Sequence, residues 1–382
     1  MICGGRAWTA AVAATVLLAG CGGSGPAAPR QTPHGYVRGA EETAEPQRRL
    51  ILAEAAGGTV HALDPATGRT AAVGTVQGLQ SVGGDGRFAY LATGGGVHVL
   101  DTGVWTVDHG DHVHYYRART RMLGHVPDTG TVGITGDAAL TALPARGGVR
   151  VLDRESLDGT GRIAEPVKVA GRVAVPYAGR LLVAGEGRVA VHDRTGRRVS
   201  RFAEPCPDPR GQATTRRGAV IGCADGALLV TGNRAHKIAY PGAVPADERA
   251  TEFRHRPGSP VLAARAGDKG AWVLDLAARK WNRVGSGPTL AVNAVGEDAP
   301  VLLLGRDGTM RSHDPATGRQ KASKRILDGA GPGAVIEVDA ARAYVNDAAG
   351  KAVHEIDYND DLRLARTFDL PFAPGHMVET GW

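Results

Sequence analysis

The sequence predicts an all-β chain folded as a β-propeller, and three observations carry that expectation. The chain has 382 residues, with 55 glycines and 22 prolines but only 5% aromatic residues. Its apolar residues come in short alternating runs broken by Gly, Asp and Pro, with no long helical period. A unit also recurs: an apolar strand, a Gly-containing turn, a second strand ending in Leu-Asp or a variant of it, then a polar turn. Two copies share the turn Asp-Pro-Ala-Thr-Gly-Arg, at positions 64–69 and 314–319. Finally, the place of Asp64 and Asp314 is held elsewhere by Asp101, Asp153, Asp193, Asn233, Asp275 and Asp357, in steps of roughly forty residues, the period of a four-stranded blade. Eight such units predict eight blades. Seven is the alternative, because the unit at Asn233 is degenerate and the step from Asp101 to Asp153 is long.

In chain order, the first element is a signal peptide over residues 1–20: one basic residue, Arg6, precedes an apolar run from Trp8 to Leu18. That run is shorter than the roughly twenty residues needed to span a bilayer. Its ending, Leu18-Ala19-Gly20-Cys21, resembles the lipobox of bacterial lipoproteins, which implies that Cys21 becomes the lipid-modified first residue. Residues 21–46 are rich in Gly, Pro, Ala and polar groups without apolar period, and read as a flexible lipid-anchored tether. The propeller domain then occupies 47–382. No second apolar run is long enough to cross a membrane, so the expected location is extracytoplasmic, anchored to the bacterial cell membrane.

Within the body, the repeat has a physical logic. One four-stranded sheet cannot bury both faces, whereas radial stacking covers them and leaves only short edges. Asp caps its own turn through its side chain, and Gly allows positive φ, so the repeated Asp and Gly positions follow from turn chemistry. The final segment, 372–382, is apolar enough to return and complete the first blade.

The long step between Asp101 and Asp153 interrupts the repeat. It contains Val104-Trp105-Thr106-Val107-Asp108-His109-Gly110-Asp111-His112-Val113-His114-Tyr115-Tyr116. Insertions in repeat proteins usually mark the binding face. In an extended strand His112 and His114 point to one side while Val113 points away. His109 can approach across Gly110, and Asp108 or Asp111 can supply an oxygen ligand or hold an imidazole. If 115–126 forms a hairpin turning at Arg119-Thr120, His125 lies opposite His114 and adds a further imidazole. The expected metal ligands are thus His109, His112, His114, His125 and Asp111. Several imidazoles with at most one carboxylate suit zinc, and copper or nickel also accept them. His61, His98 and His354 stand three residues before the repeated Asp, and His192 and His313 directly before it, so the repeat accounts for them.

The body has two cysteines, Cys206 and Cys223, and in an oxidising compartment such a pair is expected to form a disulfide. The net charge is +6, but arginine is scattered rather than striped, so no nucleic-acid footprint is present.

The stretch 104–116, together with Cys206-Pro207 and Gly222-Cys223-Ala224-Asp225-Gly226, resembles the AztD-type zinc metallochaperones, exported propellers encoded beside zinc uptake transporters. The likeness covers most of the body. It implies zinc as cargo and, as partner, the solute-binding protein of a zinc ABC importer; the sequence shows no general-base constellation, so no enzyme is expected. Two departures from the family pattern stand out. Arg210 precedes Gly211 where the family carries a histidine, and no histidine lies near Gly133. The expected function is an extracytoplasmic, monomeric zinc-binding lipoprotein. A metal-free propeller scaffold is the alternative. A zinc-dependent hydrolase or hydratase, using an open coordination position to lower the pKa of bound water, is a third reading.

Overall fold

The repeated Asp positions define the architecture. In the computed structural model, which describes residues 35–130, 133–285 and 287–382, each of the eight falls at, or within two residues after, the end of the penultimate strand of its own antiparallel sheet. The side chain turns the chain there by accepting backbone N–H groups: Asp64 from Ala66 and Thr67, Asp275 from Ala277 and Ala278, Asp314 from Ala316 and Thr317. Asp153 instead caps the short helix Arg154–Thr160 through the Ser156 N–H, and Gly161 ends that helix at φ 65°.

Among the described residues seven of these sheets have four strands. The sheet of Val261–Arg265, Ala271–Asp275 and Lys280–Val284 has three, with a single bridge from Arg254 to Ala263 at its free side. The fold is therefore all-β with repeated four-stranded antiparallel sheets, as a propeller requires. The C-terminal strand Pro374–Thr380 pairs with Arg49–Glu54 and shares a sheet with Thr59–Leu63 and Thr70–Thr75. This is the pairing expected of the returning segment.

Apolar residues fill the spaces between consecutive sheets. Phe88, Tyr90 and Val99 of the second sheet pack with Leu143, Leu152 and Leu157 of the third and its helix, and Leu50 and Leu52 of the first pack with Tyr344 and Val353 of the last. One polar knot joins the second and third sheets. The fully buried Asp85 carboxylate accepts from Tyr90 Oη at 2.6 Å, Thr141 Oγ1 at 2.6 Å and Arg154 Nη1 at 2.8 Å. Burial, with Asp85 beside it, raises the Tyr90 phenol well above its ordinary value. Cys206 and Cys223 form a disulfide between the fourth and fifth sheets.

The expected signal peptide, Cys21 and the tether up to residue 34 lie outside the described residues. The tether was expected to extend to 46, yet Glu41–Thr43 is a strand paired with Val113–Arg117. It is an exposed edge strand held by backbone pairing and by the Glu41–Arg117 ion pair at 2.8 Å, which is why its sequence shows no apolar period. No helix among the described residues is long and apolar enough to cross a membrane.

Candidate metal centre

The insertion folds as a hairpin of its own. Val104–Asp108 pairs with Val113–Arg117, with Val107 opposite His114 and Asp108 opposite Val113. Between them runs a four-residue turn, His109-Gly110-Asp111-His112. It closes with the His109 N–H donating to the His112 carbonyl at 3.0 Å, and the Asp108 carboxylate accepts the Gly110 N–H at 2.8 Å. Gly110 takes φ 92°, a conformation that L side chains rarely adopt. Together with Glu41–Thr43 the hairpin makes a ninth, three-stranded sheet.

The hairpin is anchored at its base. Arg87 lies over the Trp105 ring at 3.9 Å while its guanidinium makes two hydrogen bonds to buried Asp101, and Trp105 stacks on Tyr116 at 5.0 Å. Thr106 Oγ1 donates to the Gly381 carbonyl at 2.7 Å, and Arg216, in a turn of the fifth sheet, meets Asp108 at 3.0 Å.

This geometry gathers three imidazoles. His109 and His112 stand at the two ends of the turn with rings stacked 4.9 Å apart, and His114 presents its ring nearly perpendicular to both, at 5.2 and 4.9 Å. One ligand nitrogen from each lies within 4.8 Å of the others. His109 and His112 are exposed and His114 is buried. Two rings are oriented by carboxylates: His112 Nδ1 donates to Asp111 at 2.7 Å and His114 Nδ1 to Glu42 at 2.6 Å. The hydrogen bond from His112 holds Asp111 below the usual carboxylate range. Asp111 thus stands behind an imidazole, in one of the two roles expected of it. Glu42 had no sequence signal; it comes from the segment expected to be a tether and reaches His114 only through strand pairing.

His125 does not join the cluster. Arg121–Pro127 pairs with Gly96–Asp101 as the last strand of the second sheet, which sets His125 opposite His98. The expected 115–126 hairpin fails because Val113–Arg117 finds its partners in Val104–Asp108 and Glu41–Thr43; alternation fixes which face a residue takes but not which strand pairs with which. The remaining repeat histidines have local roles. His61 Nε2 bonds Glu54 at 3.0 Å and its ring stacks on Phe372 at 3.7 Å, and His192 Nδ1 donates to the Gly196 carbonyl at 2.8 Å.

The two departures from the family pattern meet in one place. Gly133 and Arg210 both line a cavity of about 600 Å3, together with Gln212, Arg254, Glu337 and Glu379. Burial raises the Glu337 carboxyl to about 7 and the Glu379 carboxyl to about 8.

Similar architectures are known. Two structures of AztD from Citrobacter koseri match with TM-scores of 0.71 and, for the apo protein, 0.72, at 18% and 16% identity, each over 88% of this chain and 98% of that one. The dihydro-heme d1 dehydrogenase NirN in complex with DHE matches with a TM-score of 0.56 at 16% identity, over 89% of this chain and 76% of its own. At such identities the likeness is one of fold. No family model and no curated protein matches the chain.

Proposed function

We propose that this chain is a zinc carrier of the AztD type, acting outside the cytoplasm as a lipoprotein anchored through Cys21, and that His109, His112 and His114 hold the cargo. The observation that carries the reading is the convergence of three imidazoles at one hairpin tip, two of them oriented by carboxylates. With Nδ1 engaged, Nε2 is the coordinating atom of His112 and His114. Tetrahedral zinc at about 2.0–2.1 Å from each nitrogen brings its ligands roughly 3.3 Å apart.

Three nitrogens leave a fourth position for water, a protein oxygen or a ligand from the receiving protein. A carrier benefits from that open position, since a partner's donor can enter before the carrier's donors leave. The recipient in this reading is the solute-binding protein of a zinc ABC importer, as the resemblance implies. The exposed tip, at the end of a hairpin, is accessible to such a partner. We read the eight sheets as eight blades of a propeller completed by the C-terminal strand.

The test is zinc stoichiometry and affinity by competition with a chromogenic chelator, for the wild type and for His109→Ala/His112→Ala/His114→Ala. One tight equivalent, lost in the variant, followed by transfer to an apo solute-binding protein faster than zinc dissociates on its own, is the expected result. Wild-type protein that binds no zinc, or a variant that binds it equally well, overturns the reading.

A further inference from the structure

His98 and His125, which the trio does not use, occupy directly paired positions on Gly96–Asp101 and Arg121–Pro127, and their rings lie 4.7 Å apart at 50°. Their strand neighbours Val97 and Val126 are buried in the core between the second and third sheets. Alternation therefore puts both imidazoles on the other face, where His98 is half-buried and His125 exposed. A register shift between Met122 and Gly124 sets this pairing.

The repeat supplies a comparison. His61 and His354 hold the place of His98 in the first and last sheets. Each has a carboxylate partner, Glu54 at 3.0 Å and Asp347 at 3.5 Å, and faces Ala72 or Thr367 on the outer strand. At the place of His98 the outer strand offers a second imidazole instead. Turn and repeat chemistry account for one histidine here and leave the other unexplained.

We propose that His98 and His125 form a second metal site, a cross-strand pair of imidazoles that takes a divalent late transition ion with water completing its coordination. Nitrogen donors favour copper(II) over both nickel(II) and zinc. An ion bound at about 2.0–2.1 Å from each nitrogen needs the two donors roughly 3 Å apart, and rotation of the exposed His125 ring supplies the adjustment. With two protein ligands the site is weaker than the trio and loads after it. It stands independently of the zinc-carrier reading.

The experiment titrates copper(II), followed by electron paramagnetic resonance, into the full chain made without a polyhistidine tag. The wild type, the trio variant, His98→Ala/His125→Ala and the five-fold variant are compared, with circular dichroism confirming the fold of each. The trio variant should still bind one ion with two coupled nitrogens, and the further loss of His98 and His125 should remove that ion and its two-nitrogen signature. In the pair variant, the trio's equivalent should persist alone. A trio variant that binds no copper, or one whose bound copper is unchanged when His98 and His125 are also replaced, overturns the proposal. Zinc binding by the pair variant separately reports on the trio, so the two readings fail in different arms.

Discussion

The hairpin tip and the cavity lined by Gly133 and Arg210 are both polar, yet they treat ionisable groups in opposite ways. At the tip, two of the three imidazoles are exposed, and carboxylates stand behind His112 and His114 as hydrogen-bond acceptors. In the cavity, carboxyls are driven by burial toward their protonated forms, with Arg48 and Arg254 at 3.7 and 3.6 Å, too far for close pairing. A metal needs deprotonated donors in reach of one another. The tip brings three imidazole nitrogens within reach of one another, while the cavity offers carboxyls that burial shifts toward their protonated forms, beside guanidinium groups such as Arg210. The contrast teaches that donor chemistry, and not the size of a cavity, locates the candidate metal site in this chain.

The largest effect that would sharpen the contrast is loss of the trio. His109→Ala/His112→Ala/His114→Ala should weaken zinc binding at least a thousandfold, about 4 kcal/mol. Stability in urea should change by no more than about 1 kcal/mol, since two of the three side chains are exposed. Persistent tight zinc would break the comparison by moving the site elsewhere. Next comes Cys206→Ala/Cys223→Ala, which opens a loop of sequence separation 17 beside the cavity wall. It should lower unfolding free energy by about 3 kcal/mol, and zinc affinity measured on the folded variant should be unaltered.

Smaller, and more specific to the tip, is Glu42→Gln. Removing the acceptor that orients His114 should cost zinc affinity about 10–100-fold, with the same change at exposed Asp111 costing less. Equal affinity in the Glu42 variant would show that strand pairing of Glu41–Thr43 does not contribute to the site. The last effect belongs to the cavity, and it should reach stability alone, spread over pH. Glu379 is raised to about 8 by burial, above an unfolded value near 4.3. Its stabilising contribution is therefore full below about pH 4.3 and is lost as pH rises through about 8. Chemical denaturation should show stability falling by about 1 kcal/mol per unit from pH 5 to 8 on account of this group. Glu379→Gln should remove that slope without changing zinc affinity.

The repeat was legible because Asp at the end of each penultimate strand makes the same local turn in every unit, whatever lies around it. Asn233 keeps that place in the fifth sheet, between Gly226–Thr231 and Arg234–Ala239, so the degenerate unit folds like the others. The trio was legible for a similar reason: six consecutive residues bring three imidazoles together through one turn and one strand. His125 was misplaced because its partner depends on which of several alternating strands it meets. Along the chain His98 stands in the repeat like His61 and His354, and the cross-strand contact that distinguishes it from them has no sequence signature. Glu42 was hidden in a segment whose composition gave no strand signal.

By itself the sequence determined an all-β repeat fold, the positions of its turns, the two cysteines that pair, and the histidine cluster, because alternation and turn residues act over a few neighbouring positions. Tertiary structure alone decided that Glu41–Thr43 joins the histidine hairpin, that His125 faces His98, and that Gly133 and Arg210 line one cavity. Those outcomes depend on which strand edges meet, and edge pairing is set by backbone hydrogen bonds that any residue except proline can make.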